Sequence, residues 1–500
     1  MAQSFFITTA IDYPSGRPHL GHLYEKVCTD SIARWHRLLG ETVHFSTGLD
    51  EHGEKIQRKA EESEKSPEDF VNEMSKHFLE LCKTYDISYD DFVRTTEKRH
   101  EAAVDDIFHK LWRNGKGDIY KGTYEGYYCF ECETYYLERD LTNKKCPVHG
   151  KLLLKAKENT YLFKMSKYQD KLLKHINKNP DFILPRERRT EILSRLKEPL
   201  HDISISRTLF NWGLPLPIEE AREQEKHVYY VWLDALTNYL TTIGYPDSKY
   251  KKFWPALHIV GKDIIWHHCV IWPCLLLSAG IELPKTIFAH GFIRTESGEK
   301  MSKSAGEVVD PAQLAEKYPI DATRYFLLRE FPFGEDGNFS EEALKTRMNS
   351  ELANDLGNLL NRTMVMLGKY SSGKIPEGET GRKLQKALDL ARIQRHMKSL
   401  ELNNALAEIF RFVAAANAYI NETEPWTLVG KGKELGNILY SLADSLRIIS
   451  ILLSPFMPST SEKINSQLGV KAGMLSDAKF NLLKAGTKIG KAEILFRKAE

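Results

Sequence analysis

The run "FFITTA" from Phe5 to Ala10 is almost wholly apolar or β-branched and predicts a buried strand. Tyr13 to Pro18 follows with Pro14, Ser15, Gly16 and Pro18, the chemistry of a loop. From His19 to Leu39 the apolar spacing becomes helical. The stretch "TVHFSTGLDEHG" repeats the scheme with a short strand, a turn at Gly48 and a new helix. Further on, "HVYYVWLDAL" and "LHIVGKDIIWHH" predict two more buried strands, each leading into a helix. Strands alternating with helices predict an α/β domain with a parallel sheet.

The pattern changes near Gly117. Residues 119–157 are rich in Tyr, Gly and Cys and predict short hairpins. The simplest arrangement is one α/β domain in two parts, 1–115 and 227–295, interrupted by an insertion at 116–226. A connecting region, 296–348, leads to an all-α bundle at 349–500. In the bundle, Leu406, Ile409, Phe410 and Val413 share one apolar face. Ile438, Leu442, Leu446, Ile449 and Leu453 make another. "YSSGKIPEGETG" reads as a loop between two of its helices.

Composition narrows this picture. Five hundred residues are too many for one core, which agrees with several domains. A hydrophobic share of 42% and a charged share of 28% are ordinary for a globular protein. A net charge of +2 excludes a surface coated with basic residues, but a local patch is enough to bind nucleic acid. The first residues lack the features of a secretory signal. No apolar run approaches the roughly 20 residues of a membrane helix. Seven cysteines do not make a disulfide framework, so a reducing cytoplasm is the default and an organelle matrix stays open.

Candidate chemistry begins at "HLGH". A loop leaving a parallel strand and entering a helix offers free backbone N–H groups at an anion-binding position. His19 and His22 are three apart on that first turn, so they share a face and can both donate to phosphate oxygens. Gly21, without a side chain, lets a base or ribose approach the backbone. On this string alone, an incidental helix start on the surface is an equally good reading. "TESGEKMSKSAG" adds Lys300 and Lys303 in a polar loop, a cationic arm suited to a triphosphate. A generic K-x-x-K is more often a solvated loop.

Taken together, "HLGH" and "KMSKS" closely resemble the two signatures of class I aminoacyl-tRNA synthetases. The resemblance narrows to the methionyl-tRNA synthetases and spans nearly the whole chain. It is carried by "AIDYPSGRPHLGH", "TGLDEHG", "YVWLDAL", "HIVGKDIIWHH", "KMSKS", "LANDLGNLLNRT" and "NETEPW". It implies a Rossmann-like catalytic domain with a zinc-binding insertion, followed by an anticodon-binding helical bundle. It implies ATP-dependent ligation of L-methionine to tRNA(Met), including the initiator, through methionyl-adenylate with release of pyrophosphate and AMP. His19, His22, Lys300 and Lys303 would be catalytic. ATP, with Mg²⁺, would meet these four and Gly21 and Gly261, with Lys303 in the most direct contact. Ile11, Tyr13, Asp50, Trp232, Ala235, Leu236, Tyr239, Ile264 and His268 would line the methionine pocket, with Asp50 at the ammonium group. Asn358, Arg362 and Trp426 would read the CAU anticodon. Ser15 stands where the family often has Asn, and Ile203 where some members place a pocket tryptophan.

These residue types suit that chemistry on their own terms. Aromatic rings contact a thioether favourably, and a carboxylate suits an ammonium group. Trp232 and Tyr239 taken singly read as core packing. "DEHGE" lacks the H-x-x-x-H spacing of a helical zinc site. Asn358 and Arg362 are four apart, so they share a helix face, while Trp426 alone reads as a cap on the bundle's core.

Cys129-x2-Cys132, thirteen residues, then Cys146-x2-His149 gives four ligands for one closed, structural Zn²⁺ site. Cys28, Cys82, Cys269 and Cys274 lie in apolar helical contexts and read as core. The insertion is too short for a large editing domain. Other readings are another class I synthetase, such as cysteinyl, with zinc in the amino-acid pocket, or a non-catalytic RNA-binding protein. The sequence stops at "LFRKAE" without the dimerisation domain of some relatives, so a monomer without membrane attachment is expected.

Overall fold

A computed structural model describes residues 3–113, 117–129, 134–136, 138, 141–147, 150–219, 221, 226–295 and 309–499. At its centre is a six-stranded parallel sheet. Its order is Asp91–Arg94, Thr42–Leu49, Ser4–Thr9, Leu257–Gly261, Thr286–His290 and Ile183–Leu184. The register pairs Ile7 with Phe45 on one side and with Leu257 on the other. The strand order reverses across the Ser4–Thr9 and Leu257–Gly261 pair, so successive connections diverge there and leave a crevice at the carboxyl ends.

The first helix, Leu20–Leu38, begins at that crevice. It is buried on most sides, because it packs on the sheet and also on the helix Ile320–Glu330.

Two features depart from the expected arrangement. Val228–Tyr229, the strand of "HVYY", stays out of the parallel sheet and pairs antiparallel with Ser206–Arg207. Its apolar residues are buried between the insertion and the helix Val231–Thr241, which satisfies the same pattern. Conversely, Ile183–Leu184 in the insertion extends the main sheet beyond Thr286–His290. Two residues are too few to carry a strand pattern.

The insertion is built on one long antiparallel pair in place of several short hairpins. Ile119–Cys129 runs against Leu154–Phe163, from Ile119 opposite Phe163 to Tyr128 opposite Leu154. Thr134–Tyr136 and Ile203–Ser204 flank it.

From Met348 to Leu468 the chain is mainly helical, in Asn358–Tyr370, Leu402–Thr423, Gly432–Leu453 and Pro458–Leu468 among others, whereas 470–499, expected as part of the all-α bundle, is irregular apart from the short turn Leu475–Asp477. Leu406, Ile409 and Val413, and Leu442, Leu446, Ile449 and Leu453, are fully buried, so both apolar stripes face the core. Gly432–Leu453 is long and apolar enough to cross a membrane, but 89% of its most apolar window is buried inside the protein, as in a core helix. Arg324 ties the bundle to the sheet domain. Fully buried, it donates to Asp30 Oδ2 at 2.7 Å, to the Tyr85 carbonyl at 2.9 Å and to the Phe456 carbonyl at 3.0 Å.

Candidate active site

The crevice at the carboxyl ends of the strands holds a cavity of about 370 Å³. Four strands deliver residues to it. Ala10 and Ile11 follow the first strand, Asp50 the second, Gly261 closes the strand Leu257–Gly261, and His290 closes the strand Thr286–His290. All of the sequence-predicted ATP and methionine residues that are described line this one space. They are Ile11, Tyr13, His19, Gly21, His22, Asp50, Trp232, Ala235, Leu236, Tyr239, Gly261, Ile264 and His268.

His19 caps the first helix. Its Nδ1 accepts from the Gly21 N–H at 3.1 Å, while His22 Nδ1 accepts from the His19 N–H at 3.0 Å. The two rings stack with centroids 3.8 Å apart. A nitrogen that accepts carries no proton, so in the neutral ring the proton sits on Nε2. The helix start thus fixes both tautomers and makes each Nε2–H a donor. The structure also gives Gly21 a reason beyond ligand approach. A Cβ there would lie 3.0 Å from His19 Cε1 and crowd the ring out of its capping position.

The opposite wall is the helix Val231–Thr241. Trp232, Ala235, Leu236 and Tyr239 follow i, i+3, i+4, i+7, so one helical face is the wall. The next layer comes from His267–Ile271, where the helix is π-wound, a distortion that often accompanies functional sites. His267 stacks on Trp232 at 3.7 Å, and the Tyr239 hydroxyl lies 2.6 Å from His268 Nε2. His268 Nδ1–H donates to the Ile264 carbonyl at 3.0 Å, so Nε2 accepts from Tyr239. Burial pushes the His268 imidazole down to about 4. The same cause pushes His258 and His267 well below the ordinary histidine value. This wall is therefore uncharged at neutral pH.

Several charged groups in and beneath the cavity were not anticipated from the sequence motifs. Asp12 lies beneath His22, with Oδ1 4.0 Å from its Nε2, and takes the buried Lys26 ammonium on Oδ2 at 2.5 Å. Burial pushes the Lys26 amine down, but the Asp12 carboxylate overcomes this and holds it above the usual lysine range. Glu25 Oε2 is 2.7 Å from His290 Nε2 on the neighbouring strand. Glu25, Lys26 and Asp30 are all buried in one helix. Three inward charges in a single helix were the available clue.

Lys300 and Lys303 lie outside the described residues. The chain on either side of them reaches the same place. Ile293 lines the cavity, and the Val309 carbonyl accepts from the Leu20 N–H at 3.3 Å, beside His19. Of the four zinc candidates, Cys132 and His149 also lie outside. Cys129 and Cys146 are both buried in one small cluster with Tyr127 and Leu153. Among the described residues no group of three or more metal-ligating side chains occurs. Cys28, Cys82, Cys269 and Cys274 are buried, as expected of core.

Outside the cavity, Arg362 and Trp426 meet on the bundle, and Asn358 lies on the same helix as Arg362. Trp426 is 46% exposed, so it does not cap the core. The Arg362 guanidinium lies 6.0 Å from its ring and donates to Asn421 Oδ1 at 2.9 Å. Asn358 is exposed one turn before Arg362.

Comparison with known proteins bears on the whole chain. The family described as "tRNA synthetases class I (M)" matches residues 5–151 and 137–364, and "Anticodon binding domain of methionyl tRNA ligase" matches 372–500. The methionine–tRNA ligase of Caldanaerobacter subterraneus subsp. tengcongensis is 48% identical over 99% of this chain and 79% of its own length. That of Bacillus subtilis is 43% identical over 99% and 78%. The structure of Mycobacterium tuberculosis methionyl-tRNA synthetase in complex with methionyl-adenylate superposes with a TM-score of 0.93 at 39% identity, covering 99% of both chains. With both family signatures in agreement with relatives that align along nearly all of it, the chain belongs to the class I methionyl-tRNA synthetases.

Proposed function

We infer that this chain activates L-methionine with ATP to methionyl-adenylate and transfers the methionyl group to tRNA(Met). The observation that carries the reading is the single cavity at the carboxyl ends of the strands. One side offers the capped histidine pair, the other an uncharged aromatic wall, which suits an anionic nucleotide beside an apolar side chain.

The geometry supports the following roles. The methionine thioether packs against Trp232, Ala235, Leu236, Tyr239, Ile264 and His268, where sulfur–aromatic contacts are worth roughly 0.3–1.5 kcal/mol. A neutral His268, its acceptor nitrogen taken by Tyr239, adds no charge to an apolar ligand's pocket. Asp50 receives the ammonium group, and Ile11 and Tyr13 bound that end. The methionine carboxylate then attacks the α-phosphorus and pyrophosphate leaves. The Nε2–H groups of His19 and His22 donate to phosphate oxygens as charge develops, acting by fixed orientation. Gly21 and Gly261 leave room for the nucleoside. Lys300 and Lys303 neutralise the leaving pyrophosphate, together with the Mg²⁺ that accompanies ATP.

The same reading gives the insertion one structural Zn²⁺ on Cys129, Cys132, Cys146 and His149. Its support is that the described thiols, distant in sequence, share one buried cluster. The Gly150 N–H also bonds back to the Cys146 carbonyl at 2.8 Å. Asn358, Arg362 and Trp426 take the CAU anticodon, by stacking on the exposed indole and by hydrogen bonds to base edges. An anticodon reader does not separate initiator from elongator, so both tRNAs are substrates. The same reading takes the enzyme as a monomer, in the cytoplasm, where translation would use it.

Charging tests the reading. Purified protein with ATP, Mg²⁺ and radiolabelled methionine is expected to acylate tRNA(Met) and no tRNA with another anticodon. Absence of methionyl-tRNA(Met) would overturn it.

A further inference from the structure

A buried hydrogen-bonded chain outside the cavity lining joins the two sides of the amino-acid site. His52 stands in the loop after the strand Thr42–Leu49, two residues beyond Asp50. Its Nδ1 lies 2.7 Å from Asp234 Oδ2. The other oxygen of Asp234 is 2.8 Å from His100 Nε2, and His100 Nδ1 is 2.9 Å from Thr241 Oγ1. His52, His100 and Asp234 are all buried. A carboxylate only accepts, so the facing nitrogens of both histidines carry protons and Asp234 is held from two sides.

What these residues connect is specific. The His52 carbonyl accepts from the Tyr13 hydroxyl at 2.6 Å. Tyr13 and Asp50 bound the ammonium end of the cavity. Asp234 sits on the helix whose other side carries Trp232, Ala235, Leu236 and Tyr239, about 200° round from Trp232. The loop is braced a second time from the insertion. Trp212 Nε1–H donates to the Glu51 carbonyl at 2.6 Å, and the Trp212 carbonyl accepts from the Gly53 N–H at 3.0 Å. On the nucleotide side, His19 and His22 are oriented by their own bonds to backbone N–H groups at the helix start.

We propose that His52 and Asp234 are positioning residues for the methionine half of the site, fixing Asp50 and Tyr13 against the aromatic wall. The proposal rests on the assignment of that wall to methionine. Two groups that grip opposite ends of one small ligand must keep their spacing. A misplacement of about 1 Å can cost roughly a hundredfold in rate.

The test is ATP–pyrophosphate exchange with full KM and kcat analysis of His52→Ala, His52→Asn and Asp234→Asn. His52→Ala should raise the KM for methionine at least tenfold while the KM for ATP changes less than twofold. His52→Asn, whose amide N–H falls near the Nδ1 position, should restore most of the loss. Asp234→Asn should reproduce the methionine-selective defect. A merely structural bridge would not produce that split or that rescue. Unchanged methionine KM in His52→Ala, or equal defects for both substrates, would overturn the proposal. Should His52→Ala fail to fold, His52→Gln decides, since its amide cannot reach the Nδ1 position. A wild-type-like methionine KM in that variant would overturn the proposal. Failure of the unmodified chain to exchange with methionine would instead sink the assignment of the wall.

Discussion

His19 and His22 stack their rings 3.8 Å apart, and each uses its Nδ1 to hold a backbone N–H at the start of one helix. The same bonds that cap the helix therefore aim both Nε2–H groups. Gly21 makes the arrangement possible, because a Cβ would meet His19 Cε1 at 3.0 Å. Gly21→Ala should then separate stability from activity. Alanine favours a helix over glycine by about 1 kcal/mol and the lost His19 cap costs about as much, so the melting temperature should change little. The displaced His19 should slow methionine activation by roughly tenfold or more. Thermal melts and exchange rates measured on one preparation check both halves.

The uncharged wall predicts an acid sensitivity. The folded His268 titrates near pH 4 because it is buried, against an ordinary 6.5. Between those values the unfolded chain binds the extra proton, so its contribution is present above about pH 6.5 and is lost as the pH falls toward 4. His258 and His267 act in the same direction. Each unit of depression is worth about 1.4 kcal/mol for a single group. Chemical denaturation between pH 7.5 and 4.5 should show stability falling with acid. The slope should be smaller in His268→Phe, and an identical slope would contradict the assignment.

Much of this site was legible because its groups come in local strings. A histidine pair around a glycine needs only one helical turn, and Trp232 to Tyr239 need only one helical face. The acids and bases beneath them were not legible for the opposite reason. Lys26 meets Asp12 in the loop before its own helix, and Glu25 meets His290 on a strand remote in sequence, so neither pairing follows from a single local string. The fold shows the same division. The long periodic helices were plain, whereas Ile183–Leu184 joins the main sheet through tertiary packing alone. "HVYY" carried a true buried-strand pattern but gave no means of choosing its sheet.

The insertion offers a metal-dependent prediction. Cys146→Ser should lower zinc content toward zero and expose the tip of the insertion to protease, since a structural site couples metal binding to folding. Metal analysis and limited proteolysis give the readout. Full metal retention by the variant would remove Cys146 from the ligand set.

A substitution at Trp426 tests the proposed anticodon site apart from activation. Base–aromatic stacking is worth roughly 1–3 kcal/mol, so Trp426→Ala should reduce tRNA charging by about tenfold or more. Exchange with methionine and ATP alone should stay unchanged, because activation occurs in the cavity at the sheet. Equal loss in both reactions would make Trp426 a folding residue.

The central claim is that one cavity holds methionine against the aromatic wall and ATP against the histidine pair. ATP–pyrophosphate exchange over a panel of the twenty amino acids, repeated with Lys303→Ala, tests it most directly. The account predicts exchange with methionine far above every other amino acid. It also predicts a strong drop in rate in Lys303→Ala, with methionine binding nearly unchanged. Exchange driven best by another amino acid, or a Lys303→Ala rate equal to that of the unmodified chain, would contradict it.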